Sequence, residues 1–374
     1  MQYNWQHPDW PNFIYDLTAL QPVLYNYAQN SGKVFGSIRT MSSDIKQNEI
    51  IDIMINEALN TSKIESIDFN PEDIRSSILK VLNIVDVNTL KTTNLKSDGL
   101  AKLMLDLQNN FKEDLTMDVL YNWHSFLFEG MQTNVAVGMF RNNLQPMQII
   151  FGPIGNEKVF FEAPESYKVH NEMINFINWF NNADLKKLPG PIRAGIAHLY
   201  FETIHPFEDG NGRIGRAISH KALSQDLGYP CTYSLSKEIL ATKKEYYNQL
   251  HKASTFTMDI TSWLEYFVNV ALVAQIKTEE NIQFLIKKTN FWKKYKGKLN
   301  SRQEKLIKKI FAVGVNNFEG FINAKKYISL NSCSKATATR DLTYMLEIGA
   351  LRKLDPLGRS TSYVLNFSNI PQSF

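Results

Sequence analysis

The chain has 374 residues, 44% of them hydrophobic and 21% charged, with a formal net charge of +4. That length suffices for two or three domains with real cores, and the composition excludes disordered, collagenous and disulfide-framed chains. A charge of +4 is too small to imply a polyanion partner by itself. The two cysteines, Cys231 and Cys333, stand far apart without metal-ligand spacing, so reduced thiols in a cytoplasm are expected. The first ten residues carry neither the basic nor the apolar region of a signal peptide. The most apolar run, Trp263 to Ile276, is short and contains Glu265, which makes it a core helix rather than a membrane span.

Residues 1–90 read as a helical N-terminal region. Trp5, Trp10, Phe13 and Tyr15 lead into Leu17, Leu20, Leu24 and Tyr27, the stripe of an amphipathic helix. Ile51, Ile55 and Leu59, with Met54 beside them, mark a second from Asp44 to about Ser62. At its end stands Thr61-Ser62-Lys63-Ile64-Glu65-Ser66, a hydroxyl followed four residues later by a carboxylate. Asn70-Pro71-Glu72-Asp73 starts another helix with a cap, a proline in the first turn and acids. Asn, Thr and Lys dominate from about Val87 to Ser97, a loop, and helices follow near Gly99–Phe111 and Met117–Phe128. Beyond Gly138-Met139-Phe140-Arg141 the pattern is less helical. Gln148-Ile149-Ile150, the turn Gly152-Pro153-Ile154-Gly155-Asn156 and Val159-Phe160-Phe161 predict a β-hairpin. Ala163-Pro164-Glu165 opens a helix with Trp179 and Phe180 in its core-facing part.

Pro191 to Thr203 and Ile214 to Leu227 are predicted helices, the second closed by Gly228 and Pro230. Between them lies Thr203-Ile204-His205-Pro206-Phe207-Glu208-Asp209-Gly210-Asn211-Gly212-Arg213-Ile214-Gly215-Arg216. Glycines let backbone approach a ligand closely, and the first amides of a helix lack internal partners at the positive end of its dipole. Gly210, Asn211 and Gly212 can therefore aim N–H groups at phosphate oxygens. Arg213 and Arg216, three apart on one helix face, can both fork onto phosphate. Asp209 can hold magnesium together with substrate phosphates and waters. His205 is left to take a proton from an attacking hydroxyl. A second arrangement makes His198, His205 and Asp209 a transition-metal site, since the histidines lie about two helical turns apart; the complete phosphate cradle gives no reason for it.

Ser236 to about Ala253 is predicted helical and contains Tyr246 and Tyr247, and Asp259-Ile260-Thr261-Ser262-Trp263 starts a long helix towards Lys288. The run Lys287, Lys288, Lys293, Lys294, Lys296 and Lys298, with Phe291, Trp292 and Tyr295 interleaved, reads as a solvated linker with anchoring aromatics. From about Ser301 a small separate domain is expected over residues 300–374. Its helices are Arg302–Phe311, Ile322–Ile328 and Ser334–Ile348, and Leu354 to Leu365 around Leu357-Gly358-Arg359 forms a two-strand wing. This pattern predicts a winged helix-turn-helix whose third helix exposes Ser334, Lys335, Thr337, Thr339 and Arg340, residue types that meet phosphates and base edges. The same fold also serves as a protein–protein module, so DNA and protein both stay open as its partner.

The string from His205 to Arg216 resembles, position for position, the His-Pro-Phe-x-Asp/Asn-Gly-Asn-Gly-Arg-x-x-Arg signature of the Fic family. The resemblance implies a mainly α fold: a helical Fic core over residues 91–290 with a small β-hairpin flap, flanked by the helical N-terminal region and the winged helix. It implies a protein adenylyltransferase that moves AMP from ATP, with Mg2+, to a Ser, Thr or Tyr hydroxyl of a protein target. His205 would be the base, Asp209 the magnesium ligand, Gly210, Asn211 and Gly212 the phosphate cradle, and Arg213 and Arg216 the contacts to the β- and γ-phosphates. Phe207 would be a core anchor, Tyr246 and Tyr247 would border the nucleotide pocket (Tyr247 the one assigned to it) unless they only pack in the core, and the hairpin would hold the target segment by strand pairing. Thr61 to Glu65 resembles the family's inhibitory Ser/Thr-x-x-x-Glu motif in its N-terminal-helix subgroup. Glu65 would then pair with Arg216 and block the γ-phosphate; Ser66 departs from the usual Gly or Asn. The resemblance also leaves open AMP removal or transfer of phosphate, UMP or phosphocholine, a DNA-binding regulator that senses ATP, and a homodimer. No membrane partner is implied.

Overall fold

The computed structural model describes residues 3–84, 94–151, 158–184, 187–255, 257–313, 321–354 and 361–368. Fourteen α-helices and two small antiparallel hairpins occur among them, so the chain is mainly α. It divides into two compact units, Met1–Gly36 with Ser42–Glu279, and Ser37–Met41 with Glu280–Phe374. The helices α1 (Leu17–Thr40) and α11 (Thr261–Tyr295) contribute residues to both.

The first unit is organised around α7 (Gly190–Ile204) and α8 (Asn211–Leu227). Nearly every residue of α7 is buried, which explains why its apolar residues run all round the helix rather than along one stripe. Ile192, Leu199, Phe201 and Ile204 are each at most 1% exposed; burying such a side chain contributes about 1.5–3 kcal/mol. Around this pair pack α2 (Ser43–Ile64), α3 (Pro71–Val81), α4 (Leu95–Asn109), α5 (Met117–Leu127) and α6 (Ser166–Asn182), all sharing one hydrophobic core. The N-terminal region predicted over residues 1–90 and the region predicted over 91–290 are therefore joined through that core.

Asn70 caps α3 through the Glu72 amide as its sequence predicts. The stretch predicted as one helix from Ser236 to Ala253 is two, α9 (Leu235–Ala241) and α10 (Lys243–Ser254). They part at Thr242, whose hydroxyl donates back to the Glu238 carbonyl. The carboxylate of Glu57, 3% exposed, fastens α2 to α9. It accepts from Ser234 Oγ at 2.7 Å, the Ser236 amide at 3.0 Å and the Ser236 hydroxyl, so its buried oxygens take up donors at the start of α9. The strands β1 (Gln148–Phe151) and β2 (Lys158–Glu162) form the first hairpin, pairing Gln148 with Glu162 and Ile149 with Phe161, with an irregularity between Ile149 and Ile150. The predicted turn Gly152-Pro153-Ile154-Gly155-Asn156 lies outside the described residues, as does most of the loop expected from Val87.

The second unit has its own core of Phe291, Tyr295, Leu306, Ile307, Ile310, Tyr327, Leu342 and Met345. Its elements are α12 (Ser301–Val313), α13 (Ala324–Asn331), α14 (Lys335–Glu347), β3 (Leu351–Lys353) and β4 (Tyr363–Leu365). The two strands pair antiparallel, and Ile322 bridges to Tyr363. The predicted wing tip, Leu357-Gly358-Arg359, lies outside the described residues. The expected linker at Lys287–Lys298 needs correction: α11 continues through Tyr295, and Phe291 and Tyr295 are fully buried. Spaced four apart, these two rings share a helix face, while Lys293 and Lys296 point outward.

Candidate active site

The chain leaves α7 through His205, which closes the helix in a left-handed conformation (φ 50°, ψ 60°). It re-enters α8 through Gly210 at φ 86°, where a side chain would be strained. The second helix begins at Asn211, three residues earlier than its periodicity predicts, because Asn211 closes the loop on itself. Its Oδ1 accepts from the Phe207 amide at 2.9 Å and its Nδ2 donates to the Phe207 carbonyl at 2.8 Å. The first i to i−4 bond of α8 is Ile214 N–H to Gly210 O, so the amides of Asn211, Gly212 and Arg213 have no intrahelical acceptor. Asn211 thus contributes a backbone amide to any anion, while its side chain shapes the loop.

Two residues with no assigned role in the sequence reading hold this loop. His124, on α5, is wholly buried and stacks on Phe207 at 4.2 Å between ring centroids. Its Nδ1 accepts from the Gly138 amide at 2.9 Å, which makes Nε2 the protonated nitrogen that donates to the Asp209 carbonyl at 3.1 Å. Burial pushes its pKa down to about 4, consistent with a neutral ring. Arg141, 3% exposed, gives Nε to the His205 carbonyl at 2.7 Å and Nη2 to the carbonyls of Pro164 (2.6 Å) and Ile204 (3.2 Å). It has carbonyls and Ser166 Oγ as partners rather than a carboxylate, and burial lowers its pKa to about 10. Their roles are set 64 to 85 residues away in the chain, where no local pattern reveals them.

His205 is 8% exposed, and burial lowers its pKa to about 4 against the opposing pull of the Glu202 carbonyl. Nδ1 lies 3.3 Å from that carbonyl, so it carries the proton and Nε2 keeps a free lone pair. The Glu202 carboxylate approaches the same nitrogen at 3.8 Å. This is not a charged pair at neutral pH, because burial raises the Glu202 pKa to about 8, only partly opposed by Arg216. Glu202 Oε1 is buried without a partner, and a Cβ on Gly215 would stand 2.6 Å from it.

Arg216, 1% exposed, is gripped by the two ends of the Thr61–Glu65 segment. Its Nε donates to Thr61 Oγ1 at 2.8 Å, and its Nη2 donates to the Thr61 carbonyl at 2.9 Å and to Glu65 Oε1 at 2.8 Å. Burial alone would raise the Glu65 pKa, but Arg216, with Arg213 and Lys243, outweighs it and holds the carboxyl below its ordinary range. A Cβ on Gly212 would lie 2.3 Å from Glu65 Oε1, so the carboxylate rests against the first turn of α8. Ser66 follows at φ 61°. The Ile67 amide returns to the Ser62 carbonyl and the Ser66 amide to that of Lys63, both at 3.0 Å, a Schellman closure of α2. The left-handed turn explains why Gly or Asn suits this position.

Arg213 Nε and Arg216 Nη1 are buried donors without a partner. The start of the same helix, at Gly210, Asn211 and Gly212, lines a cavity of about 980 Å3 together with Glu65, Glu202, His205, Asp209 and Tyr247. Such donors, with the free amides of α8, fit the oxygens of a phosphate chain. Asp209 sits at the margin, its side chain 58% exposed and Oδ2 3.6 Å from Arg213 Nη2. One exposed carboxylate suits magnesium, which keeps waters and takes substrate phosphates. His198 serves the core instead. Nε2 meets Tyr246 Oη at 2.7 Å and Nδ1 meets Ser219 Oγ at 3.2 Å, leaving neither nitrogen for a metal. Among the described residues no His, Cys, Asp or Glu group is arranged to hold a metal by itself. Of the tyrosine pair, Tyr246 is buried and Tyr247 is 36% exposed on the cavity.

Comparison with known proteins gives two family matches. Residues 114–223 match the Fic/DOC family, and residues 3–84 match a domain of unknown function, DUF4172. A probable protein adenylyltransferase of Aquifex aeolicus is 32% identical over 116 residues, which are 31% of this chain and 32% of that protein. Protein adenylyltransferase fic-1 of Caenorhabditis briggsae is 34% identical over 92 residues, 25% of this chain and 17% of the relative. The matched segments thus span a third or less of these relatives. In fold, the chain is similar to the crystal structure of a Fic family protein from Desulfovibrio desulfuricans, with a TM-score of 0.53 at 16% identity. That likeness covers 92% of this chain and 96% of that one. A Fic domain containing signaling protein from Bacteroides thetaiotaomicron gives 0.52 at 18% identity over 69% of this chain and 95% of that one.

Proposed function

Since the chain carries a Fic/DOC family domain, we propose that it transfers AMP from ATP to a hydroxyl side chain of a protein. The observation that carries this reading is a neutral imidazole lining the same cavity as Gly210, Asn211 and Gly212, at the start of the helix on which Arg213 and Arg216 keep buried donors without a partner. His205 Nε2 takes the proton from the target hydroxyl as its oxygen attacks the α-phosphorus. The bond from that phosphorus to the α,β-bridging oxygen breaks, and pyrophosphate leaves. Magnesium held through Asp209, when bound, supplies charge neutralisation on the leaving group. The amides of Asn211, Gly212 and Arg213 and the two guanidiniums fix the phosphate chain, so catalysis rests on position and electrostatics. Proton removal by His205 contributes roughly 10²–10⁴ in rate. The hairpin, whose Ile149 and Phe161 line the cavity, suits an extended target segment held by strand pairing.

In this reading Glu65 is a brake. Its carboxylate holds Arg216 and lies on the first turn of α8, where a phosphate group would need the same donors. Two anions on one guanidinium repel, so the γ-phosphate docks badly while Glu65 is in place.

The test compares transfer of label from α-labelled and γ-labelled ATP with magnesium, with and without cell lysate. The proteins are wild type, Glu65→Gly, and Glu65→Gly combined with His205→Ala. Label from the α-phosphate alone, increased by Glu65→Gly and lost with His205→Ala, is expected. Label from the γ-phosphate alone would mean phosphotransfer. An absence of label from every variant would remove the proposal in favour of another donor, AMP removal or a regulator.

A further inference from the structure

The whole-chain charge of +4 conceals a division. Residues 281–374 hold 17 Lys and Arg against 5 Asp and Glu, a net of +12, while residues 1–280 hold 24 against 32, a net of −8. The overall balance gave no pointer to a polyanion, but the C-terminal unit taken alone is strongly basic, and that is the electrostatic footprint of nucleic-acid binding.

Two of this unit's acids are engaged by its own residues. Asp341, 3% exposed, accepts from Arg302 Nε at 2.8 Å, Tyr327 Oη at 3.0 Å and Asn300 Nδ2 at 3.2 Å. Glu304 meets Lys308 at 3.2 Å. On α14, Asp341 points inward with Ala338, Leu342 and Met345, so the opposite face is left to Lys335, Ala336, Thr339, Arg340, Thr343 and Tyr344, with one carboxylate, Glu347, at its C-terminal end. Lys335 and Arg340 are exposed and take part in no ion pair among the described residues. The turn from α13 into α14 passes through Ser332 at φ 48°, and Ser334 caps α14 by accepting from the Thr337 amide at 3.2 Å. The result is a helix-turn-helix whose second helix presents two cations and hydroxyls along one open face, its one carboxylate lying at the far end from Lys335.

We propose that this unit binds double-stranded DNA, with the exposed face of α14 in the major groove. An α-helix about 10–12 Å across fits a groove about 12 Å wide. Lys335 and Arg340 supply contacts to phosphates and to guanine edges, and Thr339 and Thr343 can both donate to and accept from bases. Duplex is favoured over single strand because Tyr344 is the one aromatic ring on this face, and single-strand platforms stack successive bases on several rings. The sum of +12 supplies the non-specific attraction that brings the helix to the groove.

The experiment uses the full chain and a fluorescent mixed-sequence duplex of about one to two dozen base pairs, followed by anisotropy from 50 to 200 mM salt. A matched single strand and heparin serve as comparisons. Expected is duplex binding that weakens linearly in log–log form with salt. Lys335→Ala combined with Arg340→Ala should reduce the magnitude of that slope by about 2 and leave α-label transfer unchanged. Thermal denaturation of the variant, whose changes are both on the surface, should match wild type. Three results would overturn the proposal: no duplex binding at 50 mM salt, an unchanged slope in the double variant, or single strand or heparin bound as tightly as duplex.

Discussion

The two units treat positive charge in opposite ways. In the first, Arg141, Arg213 and Arg216 are 3%, 2% and 1% exposed, and each guanidinium is fixed by packing or by named oxygens. In the second, Lys335 and Arg340 stand in solvent on an open helix face. A buried guanidinium has lost its water, so any nitrogen without a protein partner is a strong donor for one anion of the right shape. An exposed cation keeps its water and acts over a Debye length of about 8–10 Å, which suits a long and repetitive anion. The first arrangement selects; the second attracts.

The largest separation between them should appear in stability. Arg216→Ala removes three hydrogen bonds and leaves Glu65 against α8 without its cation. Breaking a buried pair from one side costs about 3–5 kcal/mol, and since Glu65 is 30% exposed the lower end, about 3 kcal/mol, is expected. Arg340→Ala should stay within about 0.5 kcal/mol. Denaturant midpoints for the two variants check this, and equal losses would erase the distinction.

Acid should distinguish the regions next. His124 and His205 are depressed to about 4 and His198 to about 3, each chiefly by burial. Below the unfolded value near 6.5 the unfolded chain binds protons that these rings refuse. Stability therefore falls as pH drops from about 6.5 towards 4, by a few kcal/mol in total. Glu202 has the opposite sign. Its pKa is raised to about 8, so it disfavours folding as pH rises from 4.5 to 8. Melting of the full chain should consequently lose its first-unit transition at acid pH before the second, whose core contains no histidine. A pH-independent first transition would contradict the burial of these rings.

The same carboxyl makes a finer prediction. At pH 7 Glu202 is largely protonated, so Glu202→Gln should alter transfer little. Above pH 8 the wild-type group ionises in a cavity it shares with Glu65, near Arg216 and His205, and adds charge against the phosphates. The KM for ATP should then rise several-fold in wild type and stay level in Glu202→Gln. Parallel profiles would show that Glu202 does not titrate there.

The predicted site residues from His205 to Arg216 lie on one loop and the first two turns of one helix, so their neighbourhood was legible from spacing alone. Glu65 is 151 residues from Arg216, and only its family resemblance suggested the pairing. His124 and Arg141 escaped notice because they act on carbonyls, which every residue possesses and no side-chain pattern marks. Phe291 and Tyr295 carried a usable signal in their spacing of four, obscured by the lysines between and around them. Net charge misled for a related reason, since it averages units of opposite sign.

The smallest effect concerns Ser66, which holds the turn beneath Glu65. With φ at 61° it occupies a conformation that costs an L-residue about 1–2 kcal/mol, a cost glycine avoids. Glycine also gains freedom in the unfolded chain, which offsets part of that relief. Ser66→Gly is therefore expected to stabilise the first unit by about 0.5–1 kcal/mol, leaving the second unit's transition in place. Because the Schellman bonds at Ser62 and Lys63 position Glu65 on Arg216, the same change should lower basal transfer slightly rather than raise it. Higher basal transfer from Ser66→Gly would mean that the turn strains the brake open, and that the contact between Glu65 and Arg216 is looser in solution than its 2.8 Å implies.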